Sequence, residues 1–205
     1  MLEKIRSAVQ NYEPEIYGNI RKSAVLLPLI KRNGELHILY EVRSQAVSQA
    51  GDSSFPGGGV EAGETFEETA IRETMEELSL QEENIKIIGE IDYIVNQRMI
   101  IYCFVGELVD VEFEKIKPNL EVEKIYTVPV QYLLNNKPSY FEVEFSPVVN
   151  EQFLNEQNEL YHSMELHSSK ERIPYYEIQK HRLWGYTANL TERFIKIIQK
   201  SGELK

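Results

Sequence analysis

Glu73, Glu76 and Glu77 stand at i, i+3 and i+4 in the stretch Gly58 to Leu80, GGVEAGETFEETAIRETMEELSL. On a helix that spacing projects three carboxylates from one face. Like charges so placed repel by a few tenths of a kcal/mol per pair, and a bound divalent cation reverses that cost. Hard cations such as Mg2+ take oxygen ligands and are commonly held by a few carboxylates together with substrate phosphates. Ahead of the glutamates, Gly57, Gly58, Gly59 and Gly63 let the backbone approach a ligand closely and take up positive φ. Glu64 lies eight residues before Arg72, a little over two helical turns. An ion pair between them would fix the glycine loop against the helix.

The elements that must position these residues are legible in outline. Thr65 to Leu78 reads as one helix, preceded by Gln45 to Gly59, whose Ser, Gly, Ala and Gln content and Phe55-Pro56 read as an ordered loop without strands. Ser23 to Lys31 and Glu35 to Arg43 are β-rich runs around Arg32-Asn33-Gly34, and Asn-Gly is a strong hairpin signal. Asn84 to Glu90, Ile91 to Val95, Met99 to Leu108 and Glu123 to Pro129 are further strand candidates, followed by a short helix at Val130 to Leu134. Leu2 to Asn11 has helical apolar spacing before Pro14, and Thr187 to Lys200 closes the chain as a helix with Leu190, Phe194, Ile197 and Ile198 on one face. Residues 135–186 are the least readable, and Asn150 to Glu159 reads as a polar loop. The expectation is one domain over residues 1–205, with a short N-terminal and a C-terminal helix.

Composition narrows the function classes. The 205 residues carry 22 Lys+Arg against 33 Asp+Glu, a net charge of -11. That argues against a nucleic-acid-coating role, where a basic patch is the usual footprint. Apolar runs such as Ala24 to Ile30 are far shorter than the ~20 residues of a membrane span, and the chain opens without a basic-then-apolar leader. The lone Cys103 rules out an intrachain disulfide and suits a reducing, cytoplasmic setting. No nucleic-acid or membrane partner is expected, and a homodimer is left open. His37, His162, His167 and His181 show no ligand spacing. Glu61, Glu67 and Glu68 read as solvated charges at the helix entry, Phe55 as an anchor of its loop, Cys103 as core, and Trp184 as either a packing anchor or the wall of an adenine pocket.

Gly58, Glu64, Arg72, Glu73, Glu76, Glu77 and Leu80 resemble the Nudix hydrolase box, G-x5-E-x7-R-E-U-x-E-E-x-G-U, with U a bulky apolar residue. Thr74 and Ser79 stand where that pattern has U and glycine. The resemblance implies an α/β fold, an α/β/α sandwich around a mixed sheet, with the loop-helix-loop of the box carrying the chemistry. It implies Glu64, Arg72, Glu73, Glu76 and Glu77 as catalytic residues. Of these, Glu73, Glu76 and Glu77 would hold Mg2+ or Mn2+, with Arg43, Gly57 and Gly58 against the substrate. Leu39, Arg43, Ser44, Gly51 and Phe55 to Gly58 further resemble the coenzyme A pyrophosphatase branch, with Glu41 in place of a threonine, one residue fewer between Ser44 and Gly51, and the second arginine absent. Leu183 to Ala188 is similar to that branch's entry to the final helix, and Asn119 to Val122 to a family pattern that is often structural. The resemblance implies a small-molecule nucleotide partner, and the implied reaction is metal-dependent hydrolysis of the pyrophosphate bond of a nucleoside diphosphate derivative such as coenzyme A. The alternatives are an ADP-ribose or other nucleotide pyrophosphatase, and a nucleotide sensor without turnover.

Overall fold

The computed structural model describes residues 1–14, 16–146, 148, 168–178 and 180–202. His162, His167 and the expected loop at Asn150 to Glu159 lie outside them. The central strand β1 (Arg21–Arg32) turns through Asn33 and Gly34, at φ 52° and 83°, into β2 (Glu35–Arg43). Two successive positive φ values give the turn whose twist matches antiparallel strands, and Arg32 pairs with Glu35 across it. β1 also pairs in parallel with β6 (Met99–Leu108) from Arg21 to Ile30. β5 (Ile85–Val95) lies antiparallel to β6, and β7 (Val122–Pro129) antiparallel to β2. The stretch expected as two strands is this single β5, bent by register shifts at Ile87/Gly89 and Glu90/Tyr93.

The loop expected before the helix is partly strand. β3 (Ser53–Ser54) pairs with β2, and β4 (Gly57–Gly59) pairs with β1. Such short strands carry no periodicity, and glycine is depleted in strands, so nothing in the sequence marks them. Gly57 is required by the pairing: a Cβ there would collide with the Ala24 carbonyl and with Val25.

Both faces of the sheet are covered, which explains why β1 is apolar without alternation. Ala24, Leu26, Ile30 and Leu39 pack beneath Ala70 and Leu78 of helix α2 (Phe66–Leu78). Leu27, Leu29, Ile38 and Tyr40 face the other way, onto α3 (Val130–Asn135) and the final helix α4 (Gly185–Ser201). This is the α/β/α arrangement around a mixed sheet. Helix α1 (Leu2–Gln10) forms as expected but buries none of its residues.

The unreadable region contains a second, antiparallel sheet of β8 (Ser139–Phe145), β9 (Ser169–Ile178) and β10 (His181–Trp184). β8 is exposed along most of its length, so it lacks the alternation that marks a half-buried strand, and its partner lies some thirty residues away. Tyr176 and Leu183 join this sheet to the main core.

Helix α2 stops at Ser79, which sits in the left-handed region at φ 52° and ψ 46° while its N–H bonds to the Met75 carbonyl. The backbone thus makes the turn that glycine makes cheaply, with a residue that has to bear the Cβ strain. Thr74, in place of an apolar residue, is fully buried and satisfies its hydroxyl by donating to the Ala70 carbonyl at 2.7 Å. Ser79→Gly is expected to stabilise the protein by about 1 kcal/mol, raising the Tm by about 2–4 °C in calorimetry. A lowered Tm would show that Ser79 contributes something its backbone geometry does not reveal.

Candidate active site

The start of α2 is fixed by a capping box: Thr65 Oγ1 accepts from the Glu68 N–H at 3.2 Å, and Glu68 Oε2 from the Thr65 N–H at 2.8 Å. Beside it, Glu64 accepts from the Glu61 N–H at 3.1 Å and from Thr69 Oγ1 at 2.9 Å. Its remaining capacity goes to Arg72, whose Nε lies 2.6 Å from Oε1 and whose Nη2 lies 3.1 Å from Oε2. The same guanidinium donates to the Gly59 carbonyl at 3.1 Å and to Glu73 Oε1 at 2.9 Å. One side chain therefore ties β4, the loop before α2 and the helix itself together. Arg72, followed by the backbone bond from Glu61, holds the Glu64 carboxyl down at about 2.

The three helix glutamates sit in different surroundings. The Glu76 side chain is more than half exposed, 3.5 Å from Arg72. Glu73 lies against Gly58, where any side chain would collide with its carboxylate. Glu77 is buried and accepts the Gly57 N–H at 2.8 Å. Burial is the main reason its pKa rises to about 7; the Gly57 bond opposes the rise, and the charges of Glu73 and Glu121 add to it. Burial likewise raises the Glu73 carboxyl, against the pull of Arg72.

Two further carboxylates share this space. Glu41 is 2% exposed, and burial followed by the Glu77 charge pushes its pKa well up. Glu121 is brought in by its loop: Ser44 N–H donates to the Glu121 carbonyl at 2.8 Å, Ser44 Oγ to Leu120 O at 2.7 Å, and Asn119 N–H to Glu77 O at 2.9 Å. Sequence reasoning missed Glu41 as a site residue and set Glu121 aside as structural. The available signal for Glu41 was a carboxylate in a strand otherwise buried on both faces.

Among the described residues no three such side chains are already gathered into a ligand set. The donor chemistry nevertheless suits a hard cation, because every group is an oxygen donor and Glu41 Oε1 is buried without a hydrogen-bond partner.

Arg43 and Gly57 also line a cavity of about 360 Å3, within the usual range for small-molecule sites. Phe55, Ile173, Trp184 and Tyr186 form other parts of its wall. Trp184 is a cavity wall, 37% exposed, with its ring 6.1 Å from that of Phe141. Phe55 anchors its loop in the core, stacked on Tyr40 at 5.2 Å. Arg43 Nε donates to the Ser48 carbonyl at 2.7 Å, which orients its guanidinium.

The NUDIX domain family model matches residues 20–147, more than half of the chain. The chain belongs to this family. The Nudix match includes β1 to β8, and the cavity residues contributed by β9, β10 and α4 lie beyond it. The peroxisomal coenzyme A diphosphatase NUDT7 of Mus musculus is 32% identical over 123 residues, 58% of this chain and 51% of that protein. The mitochondrial coenzyme A diphosphatase NUDT8 of Homo sapiens is 27% identical over 182 residues, 86% of this chain and 69% of that protein. The chain spans about half the length of the first curated relatives it matches. A crystal structure of a MutT/nudix family protein from Enterococcus faecalis superposes with a TM-score of 0.50 at 11% identity, over 97% of this chain and 70% of that one, which speaks for the fold. No helix among the described residues is long and apolar enough to cross a membrane.

The raised Glu77 pKa has a consequence for stability. A carboxyl whose folded pKa exceeds its unfolded value near 4.5 contributes stability below about pH 4.5 and loses it as pH rises through about 7. In EDTA the protein should therefore lose on the order of 2 kcal/mol between pH 5 and pH 8 through this group. Urea unfolding of Glu77→Gln should be flatter over that window. Identical slopes in the two proteins would mean Glu77 ionises as freely when folded as when unfolded.

Proposed function

We propose that this Nudix protein is a pyrophosphohydrolase acting on a nucleoside diphosphate derivative, with coenzyme A or a related compound as substrate and Mg2+ or Mn2+ as cofactor. The observation that carries the reading is the concentration of carboxylates around buried Glu77, which accepts from Gly57 of the glycine strand β4, a residue that also lines the ligand-sized cavity. Glu73, Glu76 and Glu77 would hold the cation. Bound there, it supplies neutralisation of phosphate charge and acidification of an attacking water.

The chain's own residues account for the remaining requirements. Arg72 and Glu64 position the helix carboxylates against β4, where Gly57 permits close approach to β1 and Gly58 close approach of the Glu73 carboxylate; both glycines would lie against the substrate. Arg43, oriented by Ser48, is placed on the cavity wall to meet a phosphate. Glu77, whose pKa burial raises, is the group best placed to take up a proton. The flat faces of Trp184 and Tyr186 suit an adenine ring. Support for coenzyme A in particular comes from the two relatives named as coenzyme A diphosphatases and from the segments at Leu39 to Gly58 and Leu183 to Ala188. The compartments in those relatives' names, peroxisome and mitochondrion, differ from the cytoplasm expected for this chain.

Product identification tests the reading, using coenzyme A, dephospho-coenzyme A, ADP-ribose, NADH, diadenosine polyphosphates and 8-oxo-dGTP with each metal. Coenzyme A should yield 3′,5′-ADP and 4′-phosphopantetheine. Much faster turnover of ADP-ribose or NADH would overturn the coenzyme A assignment and leave the pyrophosphohydrolase standing. Glu77→Gln should lower turnover at least about 100-fold with the fold intact; near-normal turnover would remove the metal from α2.

A further inference from the structure

Strand β2 carries Glu41 in a position where strand geometry ordinarily demands an apolar side chain. Successive residues alternate between faces, so Glu41 shares a face with Leu39, and Leu39 packs in the cluster that includes Ala70 and Leu78 of α2. Tyr40 and Val42 belong to the opposite cluster. The Glu41 carboxyl is thus buried between the sheet and the helix that bears Glu73, Glu76 and Glu77. Its Oε1 has no hydrogen-bond partner, although the large majority of buried side-chain polar atoms in folded proteins have one. Arg43, two residues further along and past the register shift at Val42/Arg43, donates its Nε to the Ser48 carbonyl.

The helix glutamates do not by themselves complete an oxygen shell. Glu73 is held by Arg72, Glu77 by the Gly57 N–H, and Glu76 points largely to solvent. A hard divalent cation wants about six oxygens, and a partnerless carboxylate oxygen facing the same helix is one of the few the fold can offer. We propose that Glu41 is a ligand of the divalent cation bound at α2, supplied from the sheet, so that the cation ties β2 to α2. This rests on the reading of α2 as a metal site. The competing arrangement is a protonated Glu41 sharing a hydrogen bond with Glu77, in which glutamine would serve nearly as well.

Mn2+ binding to the 205-residue chain separates the two, read as free Mn2+ by electron paramagnetic resonance and as the Tm gain on adding Mn2+. Glu41→Gln and Glu41→Thr should each weaken Mn2+ binding about 10-fold or more and shrink the Mn2+-induced Tm gain, with the metal-free Tm unchanged or raised. Wild-type Mn2+ affinity in a folded Glu41→Gln protein overturns the proposal. If Glu41→Gln does not fold, Glu41→Thr, the smaller side chain, decides by the same criterion. Glu77→Gln is the reference: weakened binding there with unchanged binding in Glu41→Gln defeats the Glu41 ligand alone, whereas unchanged binding in both defeats the α2 metal site as well.

Discussion

Negative charge in excess of its local compensation, held between a helix and a sheet, is the constraint on which the site depends. Glu41, Glu73, Glu76, Glu77 and Glu121 surround one region, while Arg72 is already committed to Glu64 and Gly59 as much as to Glu73. Ionised carboxylates out of water are costly unless paired, and the protein answers by raising the pKa of those most buried. A fold optimised for stability alone would place apolar groups there. The excess charge has a purpose if a divalent cation completes it, since that cation can then also meet the phosphates of a substrate.

The supporting structure keeps that charge in place at small distances. Arg72 reaches three separate backbone or side-chain acceptors, so helix α2 cannot shift relative to β4 without breaking charge-assisted bonds. Ser44 and Asn119 do the same for the Glu121 loop, through β2 and through the end of α2. Opposite these, the cavity draws its walls from the main sheet and from the C-terminal β9, β10 and α4. The cavity wall therefore comes partly from the matched Nudix segment, which also carries the helix carboxylates, and partly from the chain beyond it.

Sequence reasoning reached α2 and its surroundings because the spacing of Glu64, Arg72, Glu73, Glu76 and Glu77 is local, and helix geometry converts local spacing into position. The Asn33-Gly34 hairpin was legible for the same reason. Glu41 was not, since its meaning arises from burial on a face whose other members come from a helix thirty residues away. Glu121 needed hydrogen bonds from Ser44 and Asn119 that no periodicity encodes. The second sheet went unseen because β8 is mostly exposed and pairs with distant β9. Ser79 shows the reverse case: a sequence that departs from the glycine of the pattern, and a backbone that keeps its turn.

The central claim, that the carboxylates around Glu77 bind the catalytic cation, is tested most directly by anomalous diffraction from crystals of the protein grown with Mn2+. The account predicts a manganese peak within coordination distance of Glu77 and at least one neighbouring glutamate of α2. Crystals that hydrolyse substrate with Mn2+ but show the manganese only elsewhere would contradict it.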